Sequence, residues 1–203
     1  MLDPESDILN ALYRQQPDQA RRLADQATSL TIWEAAALGR DADVARLLGA
    51  NGSLVGAYSP DGHVPLGLAA FFARPETVRL LISAGADVHA IARNAMQVQP
   101  LHAAAAGRNL DAITAIVDGG ANVNARQQAG YTPLMAAAAS GRADIAELLL
   151  AHEADPSLVN DEGKSAAALA QEHGHEALAE LLAARITQAS AARSTSGSRS
   201  PER

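Results

Sequence analysis

The clearest pattern of apolar and polar positions occupies residues 130–163. A Thr-Pro-Leu start leads into an alanine-rich stretch, a turn follows at Gly141, and a leucine-rich stretch then ends in a polar loop. Proline at the first helical position costs no hydrogen bond, and the threonine before it is suited to cap a helix. The pattern therefore predicts a helix that begins at Pro133, is capped by Thr132, and is joined by a tight turn to a second helix.

The second helix carries an apolar stripe. Ile145, Leu148 and Leu149 follow the i, i+3, i+4 spacing of residues that share one helix face. A single pair of short helices cannot bury such a stripe alone, whereas adjacent copies of the pair can bury it between them. We therefore expect the unit to be repeated, with the stripe packed against neighbouring copies.

The unit recurs along the chain at a nearly constant spacing. Pro133 lies 33 residues after Pro100, and Pro100 lies 35 residues after Pro65. An earlier copy begins at Thr31, 34 residues before Pro65, and a last copy follows the unit at residues 130–163. The two extra residues before Pro100 fall in segment 88–99. Five copies in phase predict one linear array of helix pairs.

The repeated residues resemble those of the ankyrin family, whose pattern joins Gly-x-Thr-Pro-Leu-His-x-Ala-Ala to a Gly-led turn, Leu-Leu and Gly-Ala-Asp-x-Asn. The start of this pattern stands at residues 130–134, its centre at 100–105, and its end at 85–88 and 120–124. The resemblance spans roughly residues 31–182. Departures are Trp33 and Gly67 for His, Gln99 for Thr, and Glu153 for Gly. The resemblance implies an all-α fold, an α-solenoid of stacked helix-turn-helix repeats with short loop or hairpin connections.

On this basis we expect a single array over residues 1–186 and a disordered tail over 187–203. The array divides into an N-terminal helical cap at 1–29, repeats at 30–63, 64–98, 99–131 and 132–164, and a C-terminal capping repeat at 165–186. The tail is rich in Ser, Thr and Arg, and it cannot bury enough apolar area to offset its ordering entropy. We interpret it as an ordinary frayed terminus, with a basic tail that touches an acidic partner as the alternative.

Composition limits the classes of function. A net charge of −7 argues against nucleic acid, since phosphate binding needs concentrated Lys and Arg. The chain has no cysteine, so disulfides and thiolate chemistry are excluded. The N-terminus is acidic where a signal peptide would be positive, and no apolar run approaches the length of a membrane span. We expect a cytoplasmic monomer without a membrane contact.

Candidate catalytic and metal-binding motifs are weak. The chain has no glycine-rich phosphate loop, no Gly-x-Ser-x-Gly elbow and no His-Glu-x-x-His pair. His173 and His175 could share an ion, but a stable site usually needs three or four ligands, so we favour a polar C-terminal cap. We expect no metal and no cofactor. In the family pattern the residue at His102 makes a hydrogen bond that ties neighbouring loops, and we expect that role here.

The resemblance implies a concave face formed by loop tips and the exposed side of the first helices. Phe71 and Phe72 take the two variable positions before the turn of the second copy, and aromatic residues, Met and Arg are enriched at protein interfaces. Alternatively, either phenylalanine packs under segment 88–99 as local core. The repeat phase assigns the following partner-binding candidates to this face: Tyr58, Asp61, His63, Phe71, Phe72, Arg93, Met96, Arg126, Gln128, Tyr131 and Lys164.

These observations favour a non-enzymatic scaffold for protein–protein interaction that binds a partner protein through the concave face. One alternative is an enzyme, or a regulatory subunit of an enzyme, built on a decorated array of repeats. It would need a pocket with converging polar groups, and the repeat phase shows none. Another alternative is a purely structural array, whose concave face would carry no large apolar groups.

Overall fold

The computed structural model describes residues 6–196, and the side chains of residues 6–188. The described residues form twelve α-helices and no strand, which confirms the all-α prediction. The helices are α1 Asp7–Tyr13, α2 Pro17–Gln26, α3 Ile32–Leu38, α4 Asp41–Ala50, α5 Pro65–Phe71, α6 Pro75–Ser83, α7 Pro100–Gly107, α8 Leu110–Asp118, α9 Pro133–Ala139, α10 Ala143–Ala151, α11 Ala166–Glu172 and α12 Glu176–Ser196. Two 3-10 helices, Gly52–Gly56 and Gln128–Gly130, lie in the connecting segments.

Local sequence signals explain where the helices begin and turn. Proline occupies the first turn of five helices, and Thr132 accepts a hydrogen bond from the Met135 N–H group, as predicted for the cap of α9. Thr31 and Glu34 form a complete capping box at the start of α3. Each helix pair is joined at one residue in the left-handed region, and these residues are Gln15, Gly39, Ala73, Arg108, Gly141 and Gly174.

The helix pairs stack into two layers. The first helices of successive pairs contact one another from α1 through α3, α5, α7 and α9 to α11, and the second helices do so from α4 through α6 and α8 to α10. The first helices meet through fully buried alanines, which include Ala36, Ala70, Ala104 and Ala138. Because alanine has no side chain beyond Cβ, the helix backbones approach closely. The result is an array in which each unit buries its apolar face against its neighbours.

The apolar stripe of α10 is buried unevenly. Ile145 and Leu149 are fully buried, as expected, but Leu148 is only partly buried. Successive helical residues are turned by about 100°, so Leu148 lies at the margin of the face that Ile145 and Leu149 share. Leu148 still packs against the core cluster that Ile145 and Leu149 belong to, so the stripe faces its neighbours as expected, with Leu148 at its edge.

The N-terminal helices reach further along the array than the adjacent repeat. Ile8, Leu9 and Leu12 of α1 form an apolar cluster with Ala37 of α3 and with Leu68 of α5. Ser6 also donates a hydrogen bond of 2.7 Å from its hydroxyl group to the Glu34 carboxylate at the start of α3. The N-terminal helices therefore pack against residues of both α3 and α5, and the C-terminal end of α1 reaches the second full repeat.

The last helix differs from the expectation for the tail. The sequence predicts disorder from residue 187, whereas α12 continues as a helix to Ser196. Residues 187–196 include three alanines, and alanine has the highest helix propensity, so a helix anchored by buried Leu178 and Leu182 can extend into this stretch. The rest of the predicted tail, residues 197–203, lies outside the described residues, as do residues 1–5 of the predicted N-terminal cap.

Candidate functional site

Four hairpin tips project from the connections between repeats. Each is closed by a backbone hydrogen bond from an N–H group to a carbonyl oxygen further along the chain. The closing pairs are Ser59 to His63 at 2.8 Å, Ala92 to Val98 at 2.9 Å, Gln127 to Tyr131 at 2.9 Å, and Asn160 to Lys164 at 3.0 Å. We call residues 59–63 tip 1, residues 92–98 tip 2, residues 127–131 tip 3 and residues 160–164 tip 4. The bond spans four residues in tips 1, 3 and 4 and six in tip 2, so the two extra residues of segment 88–99 lie in tip 2.

The hairpin tips are tied together in pairs. The Arg93 N–H group of tip 2 donates a hydrogen bond of 2.7 Å to the Gly62 carbonyl group of tip 1. The Asp161 N–H group of tip 4 donates one of 3.0 Å to the Ala129 carbonyl group of tip 3. Within residues 6–196, no backbone hydrogen bond joins tip 2 to tip 3. The longer tip 2 is therefore fastened on the side of tip 1 and leaves space on the side of tip 3.

A cavity of about 260 Å³ lies against tip 2. Tyr13 and Phe71 line it on the side of α1 and α5, and Asn94, Met96 and Val98 line it from tip 2. Ala95 of tip 2 also lines it. The remaining lining residues come from tips 1 and 3 and from the first helices of three repeats: His63, Gly67, Leu68, His102, Ala103, Ala106, Gln127 and Ala136. Met96 is 58% exposed and Phe71 is 40% exposed. The cavity is thus mainly apolar, and it has two accessible large apolar side chains on its walls.

Tyr13 joins Phe71 and Phe72 in an aromatic cluster. The ring centroid of Tyr13 lies 6.2 Å from that of Phe71 and 5.3 Å from that of Phe72, and the two phenylalanine rings are 5.1 Å apart. Phe72 is half-buried and packs against the apolar cluster of the N-terminal helices. The two candidates therefore differ, because Phe71 faces the cavity and Phe72 contributes to the packing of α1. Sequence reasoning missed Tyr13, since nothing local to α1 indicates that it reaches α5.

Asp61 is an internal tie and not a surface contact, so its prediction as an exposed partner-binding residue is corrected. It is 8% exposed, and its carboxylate accepts hydrogen bonds from the Ser59 hydroxyl group and, at 2.9 Å, from the Tyr13 hydroxyl group. A buried carboxylate needs such partners to offset the cost of leaving water. Asp61 therefore fastens the N-terminal helices to tip 1.

His63 and Asn94 connect tips 1 and 2 beside the cavity. The Asn94 side-chain amide donates to the Asp61 carbonyl oxygen at 3.2 Å and lies 3.1 Å from Nε2 of His63. Because the amide nitrogen is a donor, His63 accepts with Nε2 and is neutral in this arrangement. Burial lowers the pKa of His63, and this outweighs the nearby Asp61 carboxylate, which raises it. The polar groups at this end of the cavity therefore hold the two tips together.

Arg93 lies over an aromatic ring. Its guanidinium carbon is 3.8 Å from the ring centroid of Tyr58, a cation–π arrangement. The Tyr58 hydroxyl group donates a hydrogen bond of 3.1 Å to the Ile91 carbonyl group, which fixes the ring against tip 2. Arg93 is exposed, and no carboxylate of the described residues forms an ion pair with it. The guanidinium group of Arg93 is therefore accessible to a partner and is positioned by the Tyr58 ring.

The other two cationic candidates are engaged within the protein. Arg126 donates to the Val159 carbonyl oxygen at 2.9 Å and to the Asp161 carboxylate at 3.2 Å. The Lys164 ammonium group lies 2.7 Å from the Glu172 carboxylate and 3.1 Å from that of Glu162. Hydrogen bonds to Glu172 and then to Glu162 raise the pKa of Lys164. These two side chains join tip 4 to its surroundings, whereas Arg93 has no such acidic partner.

Tyr131 and Gln128 lie on tip 3. Gln128 is exposed, and Tyr131 is half-buried with its carbonyl oxygen 3.2 Å from Nε2 of His102. His102 is buried in α7, so this contact joins a first helix to the following hairpin, and the predicted role of His102 in tying neighbouring segments is confirmed. Burial lowers the pKa of His102, against the hydrogen bond to Tyr131, which raises it.

The two histidines of the C-terminal repeat do not face a common site. Nδ1 of His173 lies 2.9 Å from the Leu169 carbonyl oxygen of α11, and the ring of His175 lies against Gly141 of the preceding repeat. Among the residues that the structure describes, no three His, Asp or Glu side chains are grouped as metal ligands. Each histidine therefore has a packing role that accounts for its position.

The described helices include none that is both long enough and apolar enough to cross a membrane. Their stacking in two layers, with hairpin tips between successive pairs, defines a helical repeat solenoid of the ankyrin type. A family model described as ankyrin repeats (3 copies) matches residues 31–127 and 101–191, which together make up most of the chain. The chain therefore belongs to the ankyrin-repeat family, whose repeats generally mediate contacts between proteins. A comparison with curated proteins finds no match.

Proposed function

We propose that this chain is a non-enzymatic interaction scaffold that binds a partner protein on a concave face formed by its first helices and hairpin tips. The observation that carries the proposal is the exposure of Phe71 and Met96 on the walls of one apolar cavity. Large apolar side chains that border a shared pocket are typical of binding sites, because covering them removes apolar surface from water.

The surroundings of the cavity support a protein as the partner. Tips 1, 2 and 3 line it, and together with tip 4 and the first helices they can supply the ~800 Å² per partner that a specific complex typically buries. Aromatic, Met and Arg side chains are the types enriched at interface centres, and Phe71, Met96 and Arg93 provide one of each. The purely structural alternative would leave this face free of large apolar groups, so Phe71 and Met96 argue against it.

The polar groups at the cavity favour binding over catalysis. His63 and Asn94 bond to each other, and Asn94 also bonds to the Asp61 main chain. His102 bonds to the Tyr131 main chain. His63, Asn94 and Nε2 of His102 therefore each have a structural contact that holds the walls in place. A rigid, preformed pocket is what a binding site gains from such ties, because less conformational entropy is lost on association.

Site-specific photo-crosslinking tests the proposal. A photoreactive phenylalanine analogue placed at Met96 should give a discrete crosslinked product with a partner protein in the native host. The same analogue at Glu147, an exposed position on the second helix α10, is the matched control and should give no such product. Products of equal yield from both positions, or none from Met96, would contradict binding at this face.

A further inference from the structure

We propose that the cavity receives one large apolar side chain from an acidic peptide segment of the partner, and that Arg93 pairs with a carboxylate a few residues away in that segment. This inference rests on the proposed function and specifies the chemistry of the partner. The size of the cavity and the distribution of charge around it support this chemistry.

The size of the cavity selects a single side chain. Pockets that enclose drug-sized ligands typically measure roughly 300–1,000 Å³. The cavity beside tip 2 measures about 260 Å³, so it is small for a cofactor but can hold the end of a Leu, Met or Phe side chain. Its walls are apolar, with Phe71 on one side and Met96 on the other, and both can pack against an inserted hydrocarbon group.

Charge is distributed unevenly between the two sides of the array. Segments 88–110 and 119–143 contain four arginines and no Asp or Glu, although the whole chain carries a net charge of −7. The acidic residues between residues 74 and 119 lie on or next to the second helices, and they are Glu76, Asp87, Asp111 and Asp118. Tips 2 and 3 and the first helices α5, α7 and α9 therefore surround the cavity without an acidic side chain. Asp61 of tip 1 is buried and hydrogen-bonded. This face is complementary to a negatively charged segment.

Arg93 is the cation best placed to meet a carboxylate. It directly precedes Asn94, which lines the cavity, and it has no acidic partner among the described residues. The contact with the Tyr58 ring restrains its guanidinium group, and this reduces the entropy lost when a carboxylate binds to it in a bidentate manner. Arg126, the basic residue of the neighbouring hairpin, is already bonded to Asp161.

The same features do not favour nucleic acid. Binding to a phosphate backbone requires several accessible cations along one track, and its affinity depends steeply on salt. Beside the cavity Arg93 is accessible, while Arg126 is occupied. One accessible arginine beside an apolar cavity matches one carboxylate beside one apolar side chain. Binding of nucleic acid at the cavity would therefore overturn the inference.

The inference is tested by selecting peptides from a phage-displayed library of random 12-residue sequences against the full chain. The same library is also selected in parallel against three variants of the chain. Arg93→Glu reverses the proposed charge, Ala106→Trp fills the cavity from an exposed position of α7, and Ala168→Trp adds the same bulk at an exposed position of α11 away from the cavity. Melting temperatures are measured for each variant, and Met96→Ala replaces Ala106→Trp if the latter does not fold.

We expect the wild-type chain to enrich peptides with one Leu, Met or Phe and an Asp or Glu within a few positions. Ala168→Trp should enrich the same peptides. Arg93→Glu should retain the apolar position and change the flanking preference to Lys or Arg, and it should bind the best wild-type peptide at least tenfold more weakly. The cavity-filling variant, or Met96→Ala in its place, should lose at least tenfold in affinity for that peptide.

Other results would overturn the inference. These are an Arg93→Glu variant that keeps the acidic preference, wild-type peptides without an acid, no enriched peptide at all, or tight binding of a single-stranded oligonucleotide that Ala106→Trp abolishes. Failure here is distinguishable from failure of the proposed function, because a crosslink from Met96 and not from Glu147 would still show a protein bound at this face through a different chemistry.

Discussion

The hydroxyl group of Tyr13 donates a hydrogen bond of 2.9 Å to the buried carboxylate of Asp61, which lies 48 residues further along the chain. The same tyrosine ring contacts Phe71 and Phe72 and lines the cavity. One side chain therefore connects the N-terminal helices, the first hairpin tip and the wall of the proposed binding site. Through this contact, the α1–α2 pair supports the wall of the cavity.

Tyr13→Phe removes only the hydroxyl group and should destabilise the protein. A hydrogen bond to a charged group contributes about 1.5–3 kcal/mol, and its loss leaves Asp61 with fewer partners. We expect a decrease of that size in the free energy of unfolding by urea. Tyr58→Phe is the matched control, because its hydroxyl group donates to the Ile91 carbonyl group at an exposed position, and its loss should be under about 1 kcal/mol. Equal losses in the two variants would contradict a structural role for the Tyr13–Asp61 contact.

Phe71→Arg and Phe72→Arg should separate binding from stability. Phe71 is 40% exposed and lines the cavity, so its replacement should abolish the crosslink from Met96 and leave the melting temperature nearly unchanged. Phe72 packs against the N-terminal helices, so a charge there should lower the free energy of unfolding by about 2 kcal/mol or more. Circular dichroism melting and crosslinking yield measure the two effects. The assignment of roles would be wrong if Phe71→Arg caused the larger loss of stability.

Glu153→Gly should stabilise the protein. Glu153 follows α10 with φ at 67°, and the corresponding positions after α6 and α8 are Gly85 and Gly120, with φ at 89° and 91°. A left-handed conformation costs a residue with a Cβ atom roughly 1–2 kcal/mol, and the greater freedom of glycine in the unfolded chain offsets part of the gain. We expect a net gain of about 0.5–1 kcal/mol in urea unfolding. Glu153→Ala keeps the Cβ atom and should give no gain, so a similar gain from alanine would show that backbone strain is not the cause.

Acidification should destabilise the protein through His63. Burial lowers the pKa of this histidine in the folded state, so the unfolded chain takes up the proton first as the pH falls. The contribution of neutral His63 to the free energy of unfolding is therefore fully present above the unfolded pKa of about 6.5. It is lost as the pH falls from there through the folded pKa. The group facing Nε2 of His63 from tip 2 is the Asn94 amide nitrogen, which cannot accept a hydrogen bond from the protonated ring. The nearby charge on the same tip is Asp61.

The measurement is the melting temperature between pH 7.5 and pH 5. His63→Gln should flatten the decrease, although His102 contributes in the same direction because burial also lowers its pKa. His89→Gln, at an exposed position between tips 1 and 2, is the control and should leave the decrease unchanged. A steeper decrease in His63→Gln would mean that His63 is stabilised in its charged form.

Much of the fold could be predicted from local patterns. The repeat period indicated the helix pairs, Thr132 and Pro133 indicated the start of α9, and the step of 35 residues indicated the insertion that the structure shows in tip 2. For the candidate site, the phase of the repeat selected Phe71 and Met96, which share the cavity. It also selected Asp61, which is buried. A repeat phase indicates which face a position occupies, but not whether its side chain is buried and hydrogen-bonded within the protein.

The sequence by itself determined the architecture of this protein, because helix caps, turns and apolar periodicity act over a few residues and are repeated in each copy. Tertiary structure alone decided the site. Packing of α1 against α5 brought Tyr13 to Phe71, and the paired ties between hairpin tips placed the longer tip 2 beside an open cavity. The physical reason is that these contacts depend on how helix pairs stack and on which buried polar groups find partners. Both are settled by residues tens of positions apart and not by any local pattern.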